Sequence, residues 1–322
     1  MFRWATLLGL LGLAVATALI VWSGLDLVLQ ALTQAGWGLV VVALYNVIPL
    51  AVSSEGWRVL VPGKTRLSSL RFVYVMWVRA AVNNLMPVAR IGGEIAAVRL
   101  LTAYGMRKNA AIAITLVELT LSVVAVFLCV GFGVVLFAFY VNDENTTMQL
   151  GWGLVVSAPL IAAFALVQRI GFFGLLARLF RLAFREKWRA MAVGSAAALD
   201  RAVSTVYRRR WRVLVCGASQ FAGWVLGAGE IWLALFFVGH PFSLLESFML
   251  ESLIQGAASM AFAVPGALGV QEAGFLVFGG MLGLPRDVAA ALAVIRRCRD
   301  LIFYAPALVA WQIEEGKKLF ER

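Results

Sequence analysis

The sequence predicts an all-α polytopic membrane protein, with about six spanning helices and two oppositely inserted re-entrant helical hairpins that form an inverted repeat. Three observations carry this expectation. Apolar residues fill 62% of the 322 positions, charged residues 14%, and mean hydropathy is +0.89, so too little polar surface exists to coat a water-soluble globule. Apolar stretches such as Trp4 to Trp22 and Asn109 to Tyr140 are too long for an ordinary core. Two further hydrophobic stretches are broken near their middles by Pro and Gly, and similar motifs sit at the two breaks. The chain reads as one transmembrane domain over 1–322, with repeat-like halves at about 36–140 and 213–313.

A spanning helix needs about 20 apolar residues at 1.5 Å rise. Six segments meet that length: 4–22, 36–54, 110–140, 150–168, 213–238 and 288–311. The first is a spanning helix and not a cleaved signal, because a cut after Ala14, Ala16 or Ala18 would leave Leu19, Ile20, Val21 and Trp22 as a hydrophobic end. The stretches 70–104 and 244–283 are too interrupted to be simple spans.

Net charge is +11, from 28 Lys and Arg against 17 Asp and Glu, and its placement sets orientation. The segment 57–71 holds Arg58, Lys64, Arg66 and Arg71, the tract 169–212 holds eleven basic residues, and the C-terminal tail holds Lys317, Lys318 and Arg322. These define the cytoplasmic side, with both termini on it. The connections 23–35 and 141–148 contain no Lys or Arg and face out. Six crossings close this topology only if each interrupted stretch returns to its own side, as a re-entrant hairpin. In the tract 169–212, Phe172, Leu176, Leu179 and Phe180 interleave with Arg178, Arg181 and Arg185, which describes an amphipathic helix in the headgroup region. The basic charge therefore belongs beside anionic lipid, and nucleic acid is not an expected partner.

Composition removes several chemistries. The only histidine is His240, and Cys129, Cys216 and Cys298 each stand alone in apolar sequence, so no metal site, cofactor or disulfide framework is expected. Gly63, Lys64 and Thr65 resemble a phosphate loop, but six residues separate them from Gly56 where that loop needs four.

The two breaks are related. Pro87 to Glu94 and Pro265 to Glu272 both read proline, six residues, glutamate, at an offset of 178 that also aligns Gly105 with Gly283, Ala111 with Ala289 and Ala113 with Ala291. Three crossings separate the copies, so they are inverted relative to each other. Proline ends each incoming helix, Gly92, Gly93, Gly266 and Gly269 permit tight turns, and helices starting near Glu94 and Glu272 aim partial positive charge at mid-membrane.

Charges stand where lipid is expected: Arg79, Arg90, Glu94, Arg99, Glu118, Glu230, Glu251, Glu272, Arg296, Arg297, Arg299 and Asp300. Each costs roughly 2.5–3.5 kcal/mol at the bilayer centre, so each implies a partner or a wet cavity. Arg79 and Asn83 share a helix face, as do Glu251, Gln255 and Ser259. The spacing of Arg296 and Asp300 permits an intrahelical pair. Arg297 and Arg299 cannot both join it, which leaves at least one for Glu118, Glu230 or an anionic ligand.

Asn83 to Glu94, Trp57 with Arg58, Val264 to Glu272, and Arg299 to Pro306 with Tyr304 resemble the lysylphosphatidylglycerol synthase transmembrane family over nearly the whole chain. That resemblance implies a flippase-like domain, with Asn84, Pro87, Arg90, Gly93 and Glu94 as the first substrate motif and Pro265, Gly266, Gly269 and Glu272 as the second. Arg79, Glu118, Glu230, Glu251, Arg296, Arg297, Arg299 and Asp300 are the gating or buried-charge candidates. The sequence departs at Ala267, where a further glycine is common, and at Leu119, where Arg often follows the acid. No soluble aminoacyl-transferase domain is present in these residues, so lysyl transfer is not expected, and the short hopanoid-associated branch is the nearest likeness. The expected function is movement of a polar or anionic lipid between leaflets of a bacterial-type inner membrane, without enzymatic activity. The alternatives are a membrane-embedded lipid-modifying transferase and a non-catalytic subunit of a lipid or hopanoid synthesis complex. Expected partners are a membrane phospholipid or isoprenoid lipid, with a second copy of the chain or lipid-synthesis enzymes as protein partners.

Overall fold

Among the described residues, long helices pack around two helix pairs. The computed structural model describes residues 36–61, 67–86, 92–140, 198–260, 267 and 269–320, with isolated positions between 148 and 159. In chain order the helices are α1 (Gly38–Tyr45), α2 (Val47–Val59), α3 (Ser69–Leu85), α4 (Gly92–Ala103), α5 (Lys108–Tyr140), α6 (Arg210–Val238), α7 (Leu244–Met260), α8 (Val270–Met281) and α9 (Arg286–Phe320). The described residues are all-helical, as an all-α polytopic membrane protein requires.

Three of the expected spans are present as helices long and apolar enough to cross a membrane: Gly38–Val59, Lys108–Tyr140 and Arg210–Val238. α5 runs unbroken because 108–130 contains neither Pro nor Gly. The first span is interrupted at Asn46, whose Nδ2 donates back to the Val42 carbonyl at 3.1 Å, and Pro49 sits in the first turn of α2, where a missing N–H does least harm. The expected span 288–311 differs. α9 covers it, but Arg296, Arg297, Arg299 and Asp300 keep it out of the apolar class. The expected spans 4–22 and most of 150–168 lie outside the described residues.

The basic tract also divides. Residues 169–197 lie outside the described part, whereas 198–208 is helical and buries Leu199, Val203 and Val206 in the core beside Trp57 and Phe72. At the start of α6, Arg212 Nη1 donates to the Val61 carbonyl at 2.7 Å. This end of the tract is packed structure and not a surface helix, because its apolar residues recur at helical spacing toward α2 and α3.

The repeat appears in the backbone. α4 and α8 begin and end 178 residues apart, and α5 and α9 begin at the same offset. Gly105 and Gly283 both take positive φ, +92° and +89°, past the ends of α4 and α8. There the amide of Met106 bonds the Leu101 carbonyl at 3.1 Å and that of Leu284 the Gly279 carbonyl at 2.8 Å, the same helix-ending motif in both copies.

Apolar packing falls into two clusters at opposite ends of the long helices. One joins α2, α3, α4 and 198–208 to Ala111–Val117 of α5, Val213 and Cys216 of α6, and Leu308 and Trp311 of α9. The other joins α1, α7 and α8 to Val134 and Phe137 of α5, Ile231–Leu235 of α6, and Val288–Ile295 of α9. The first hairpin, α3 with α4, therefore opens toward one end of the bundle. The second, α7 with α8, opens toward the other, where Tyr140 meets Glu246. Between the clusters, α5, α6 and α9 carry their polar residues.

Candidate functional site

That polar layer is organised by α3, whose Arg79 and Asn83 lie one turn apart on the face turned to α4. Asn83 Oδ1 accepts the Gly93 amide at 2.9 Å, supplying a partner for one of the four amides that a helix start leaves open. Arg79 Nε donates to Glu94 Oε1 at 2.8 Å, its Nη1 binds Glu118 on α5, and its guanidinium lies 5.3 Å from the centre of the Trp57 ring. Gly93 must be glycine here: a Cβ would run into the Arg79 carbonyl and the Asn83 side chain.

The second hairpin is held from outside. Glu272, in the first turn of α8, accepts Arg297 Nε of α9 at 2.7 Å. Glu251 on α7 accepts Arg296 Nη2 at 2.5 Å and Gln255 Nε2 at 2.7 Å. Arg299 binds Glu230 of α6 through Nε at 2.9 Å and Nη2 at 2.6 Å, and its Nη1 donates to Asp300 at 2.6 Å. The intrahelical Arg296 and Asp300 pair does not form. Arg296 reaches Glu251 and, at 3.6 Å, Glu230 on neighbouring helices, while Asp300 takes the nearer guanidiniums of Arg299 and, at 3.6 Å, Arg297.

A cavity of about 310 Å³ lies between these networks. Arg79, Asn84, Glu118, Glu230, Glu251, Arg296, Arg299 and Asp300 line it, so eight of the expected site residues converge. Asn84 Nδ2 donates to the Ala80 carbonyl at 2.9 Å. Gly93, Glu94, Glu272 and Arg297 stand behind the wall as its braces, and Gly269 precedes α8 with φ +77°. Pro87, Arg90, Pro265 and Gly266 lie outside the described residues. Arg99 is remote, paired at the surface with Glu315 at 2.5 Å.

Sequence reasoning gave no site role to the neutral polar lining: Asn46, Ser53, Ser122, Gln220 and Trp224, and Gln271 and Tyr304, which it met only as parts of the motifs. The available signal was amide and hydroxyl side chains inside spanning runs, as with Asn46 in the first and Gln220 in α6. Gly223 is spent inside the chain, since a Cβ there would meet Ser53 of α2, so at that position the small residue serves contact between α2 and α6.

No curated protein and no solved structure matches the chain. The sequence model of the lysylphosphatidylglycerol synthase TM region matches residues 9–307, nearly the whole chain, and the protein belongs to that family of membrane proteins with lipid-related function.

Proposed function

We propose that the protein is a lipid translocator and not an enzyme, moving a polar lipid between the leaflets of a bacterial-type inner membrane with both termini cytoplasmic. One observation carries this reading: a polar cavity at the middle of the long helices, between two apolar clusters and beside the inner ends of α3, α7 and α8, in two helix pairs that open toward opposite ends. Hairpins entering a bilayer from opposite sides and meeting at mid-depth would place a headgroup there while the tails stay in lipid. Irregular backbone at that depth is tolerable where it lines a wet cavity. An anionic headgroup would have to compete with carboxylates, since Arg79, Arg296, Arg297 and Arg299 are each bound to acids. Glu94 and Glu272, the residues a transferase would use as base, are also engaged by guanidiniums, which favours a bracing role over proton abstraction.

Reconstitution into proteoliposomes tests the proposal. With labelled phospholipids and a polyprenyl-linked lipid in one leaflet, protein-containing vesicles should exchange lipid faster than empty ones, and a Glu118→Gln, Glu230→Gln variant should slow that exchange. Rates equal to empty vesicles for every lipid class would refute translocation.

A further inference from the structure

The charges that line the cavity are already engaged. Arg79, Arg296 and Arg299 and the acids Glu118, Glu230, Glu251 and Asp300 all stand in ion pairs. A charged headgroup would have to take a partner from one of them, and parting a buried pair is costly because it strands the charge left behind.

The unengaged groups are neutral. Ser53 of α2, Ser122 of α5, Trp224 of α6, Gln271 of α8 and Tyr304 of α9 line the same cavity, and their side chains have no hydrogen-bond partner among the described residues. Gln271 is only 7% exposed. Five helices therefore each bring one uncharged hydrogen-bonding group to one space. A buried polar group without a protein partner calls for water or a ligand.

The chemistry of that ligand follows from what can take the place of water. Serine and tyrosine hydroxyls and the glutamine amide each both donate and accept, while the indole only donates. A hydroxyl on the ligand also does both, so it can replace a water without leaving either role empty. A phosphate could accept from these groups, but its charge would stand among four acids and be countered, within the described lining, only by guanidiniums already bound to them. An ammonium would have to displace those guanidiniums. The volume, about 310 Å³, lies at the lower end of the ~300–1,000 Å³ of small-ligand sites, room for one headgroup.

We propose that the cavity selects an uncharged, hydroxyl-rich headgroup of the glycosyl or polyol kind. Ser53, Ser122, Trp224, Gln271 and Tyr304 hold it while the ion pairs stay closed around it. This names the substrate class of the translocator reading, and to that extent rests on it.

Lipid binding to the purified full-length protein, followed by native mass spectrometry, tests the proposal. The detergent is a polyoxyethylene ether, because glucoside and maltoside detergents carry the headgroup in question. Glucosyl diacylglycerol, diacylglycerol, phosphatidic acid and phosphatidylethanolamine are compared with the same acyl chains. The glucosyl lipid should bind roughly tenfold more tightly than the other three, as two or more net hydrogen bonds would give. Gln271→Leu and Ser122→Ala, on different helices and checked for folding by circular dichroism, should each weaken it by about 3–10-fold and leave diacylglycerol binding unchanged. Tighter binding of either phospholipid would overturn the proposal, as would equal binding of glucosyl and plain diacylglycerol, or unchanged glucosyl binding in both variants. Arg90, outside the described residues, is tested in its own arm: a preference for phosphatidic acid that is lost in Arg90→Gln would overturn the proposal in favour of an anion site. No lipid crosses a bilayer in this experiment. A wrong headgroup preference therefore leaves exchange in vesicles standing, and absent exchange leaves the binding result standing.

Discussion

Replacing Arg79 with Gln should be among the most damaging single substitutions in the chain. Arg79 is the guanidinium that holds both Glu94 and Glu118, and Glu118 is 1% exposed. Breaking a buried pair by removing one partner costs about 3–5 kcal/mol, and the lost contact with Trp57 adds roughly 0.5–2 kcal/mol. At about 2–4 °C per kcal/mol, the first contribution alone lowers Tm by roughly 6–20 °C. Thermal unfolding in micelles can be read by a thiol-reactive dye, since Cys129 and Cys216 are buried and become available on unfolding. Arg58→Gln is the control: its pair with Glu55 is 35% and 39% exposed, which limits the effect to about 1 kcal/mol. Adding Glu118→Gln to Arg79→Gln removes the more deeply buried of the two stranded charges, Glu94 being the other, and should restore part of the loss. The reasoning is refuted if Arg79→Gln melts no lower than Arg58→Gln, or if the double variant melts no higher than Arg79→Gln alone.

Three further substitutions are checked by the same melting assay. Gly93→Ala forces a Cβ against the Arg79 carbonyl and Asn83, so α4 must back away from α3, at about 1–3 kcal/mol. Gly105→Ala and Gly283→Ala should each cost about 1 kcal/mol and match one another, because both sites have open space around them and only positive φ to resist the methyl group; a large difference between them would break the repeat. Trp77→Phe keeps the ring beside Phe303 but removes the Nε1 donor to the Phe303 carbonyl at 2.8 Å, for about 1 kcal/mol.

Helix positions were legible in the sequence because hydrophobic runs and Pro and Gly breaks act locally. The runs at 36–54, 110–140 and 213–238 became spanning helices, and the interruptions at 70–104 and 244–283 became two-helix units. Membership of the charged site was also legible, since each intramembrane charge demands a partner. The partners themselves were not. Arg296 and Asp300 satisfy the i,i+4 rule, yet Arg296 turns to α7 and α6, because which face α9 presents to each neighbour depends on packing that no local spacing encodes. Gln271 was invisible for a different reason. It lay inside the second motif, but its place on the cavity wall follows from how α8 packs, which the motif does not encode.

The backbone repeats, but its charges do not. At the 178-residue offset Glu94 matches Glu272, yet Arg79 matches Ala257, Arg297 matches Leu119, and Glu118 matches Arg296. The glutamate of the first hairpin is therefore braced by an arginine of the same hairpin, while that of the second is braced by α9. Asn83 reinforces this, since its bond to the Gly93 amide also closes the first hairpin on itself. Two hairpins with equal backbones and equal bracing would give inward- and outward-facing arrangements of similar energy. The second is tied to α9 by Glu272 with Arg297 and by Glu251 with Arg296, whereas the first is tied to α5 by Arg79 with Glu118 and to α9 by Trp77 Nε1 with the Phe303 carbonyl and by Tyr104 with Glu314. If the two helix pairs part during lipid movement, opening at the two ends must break different ion pairs, Glu118 with Arg79 at one and Glu272 with Arg297 at the other.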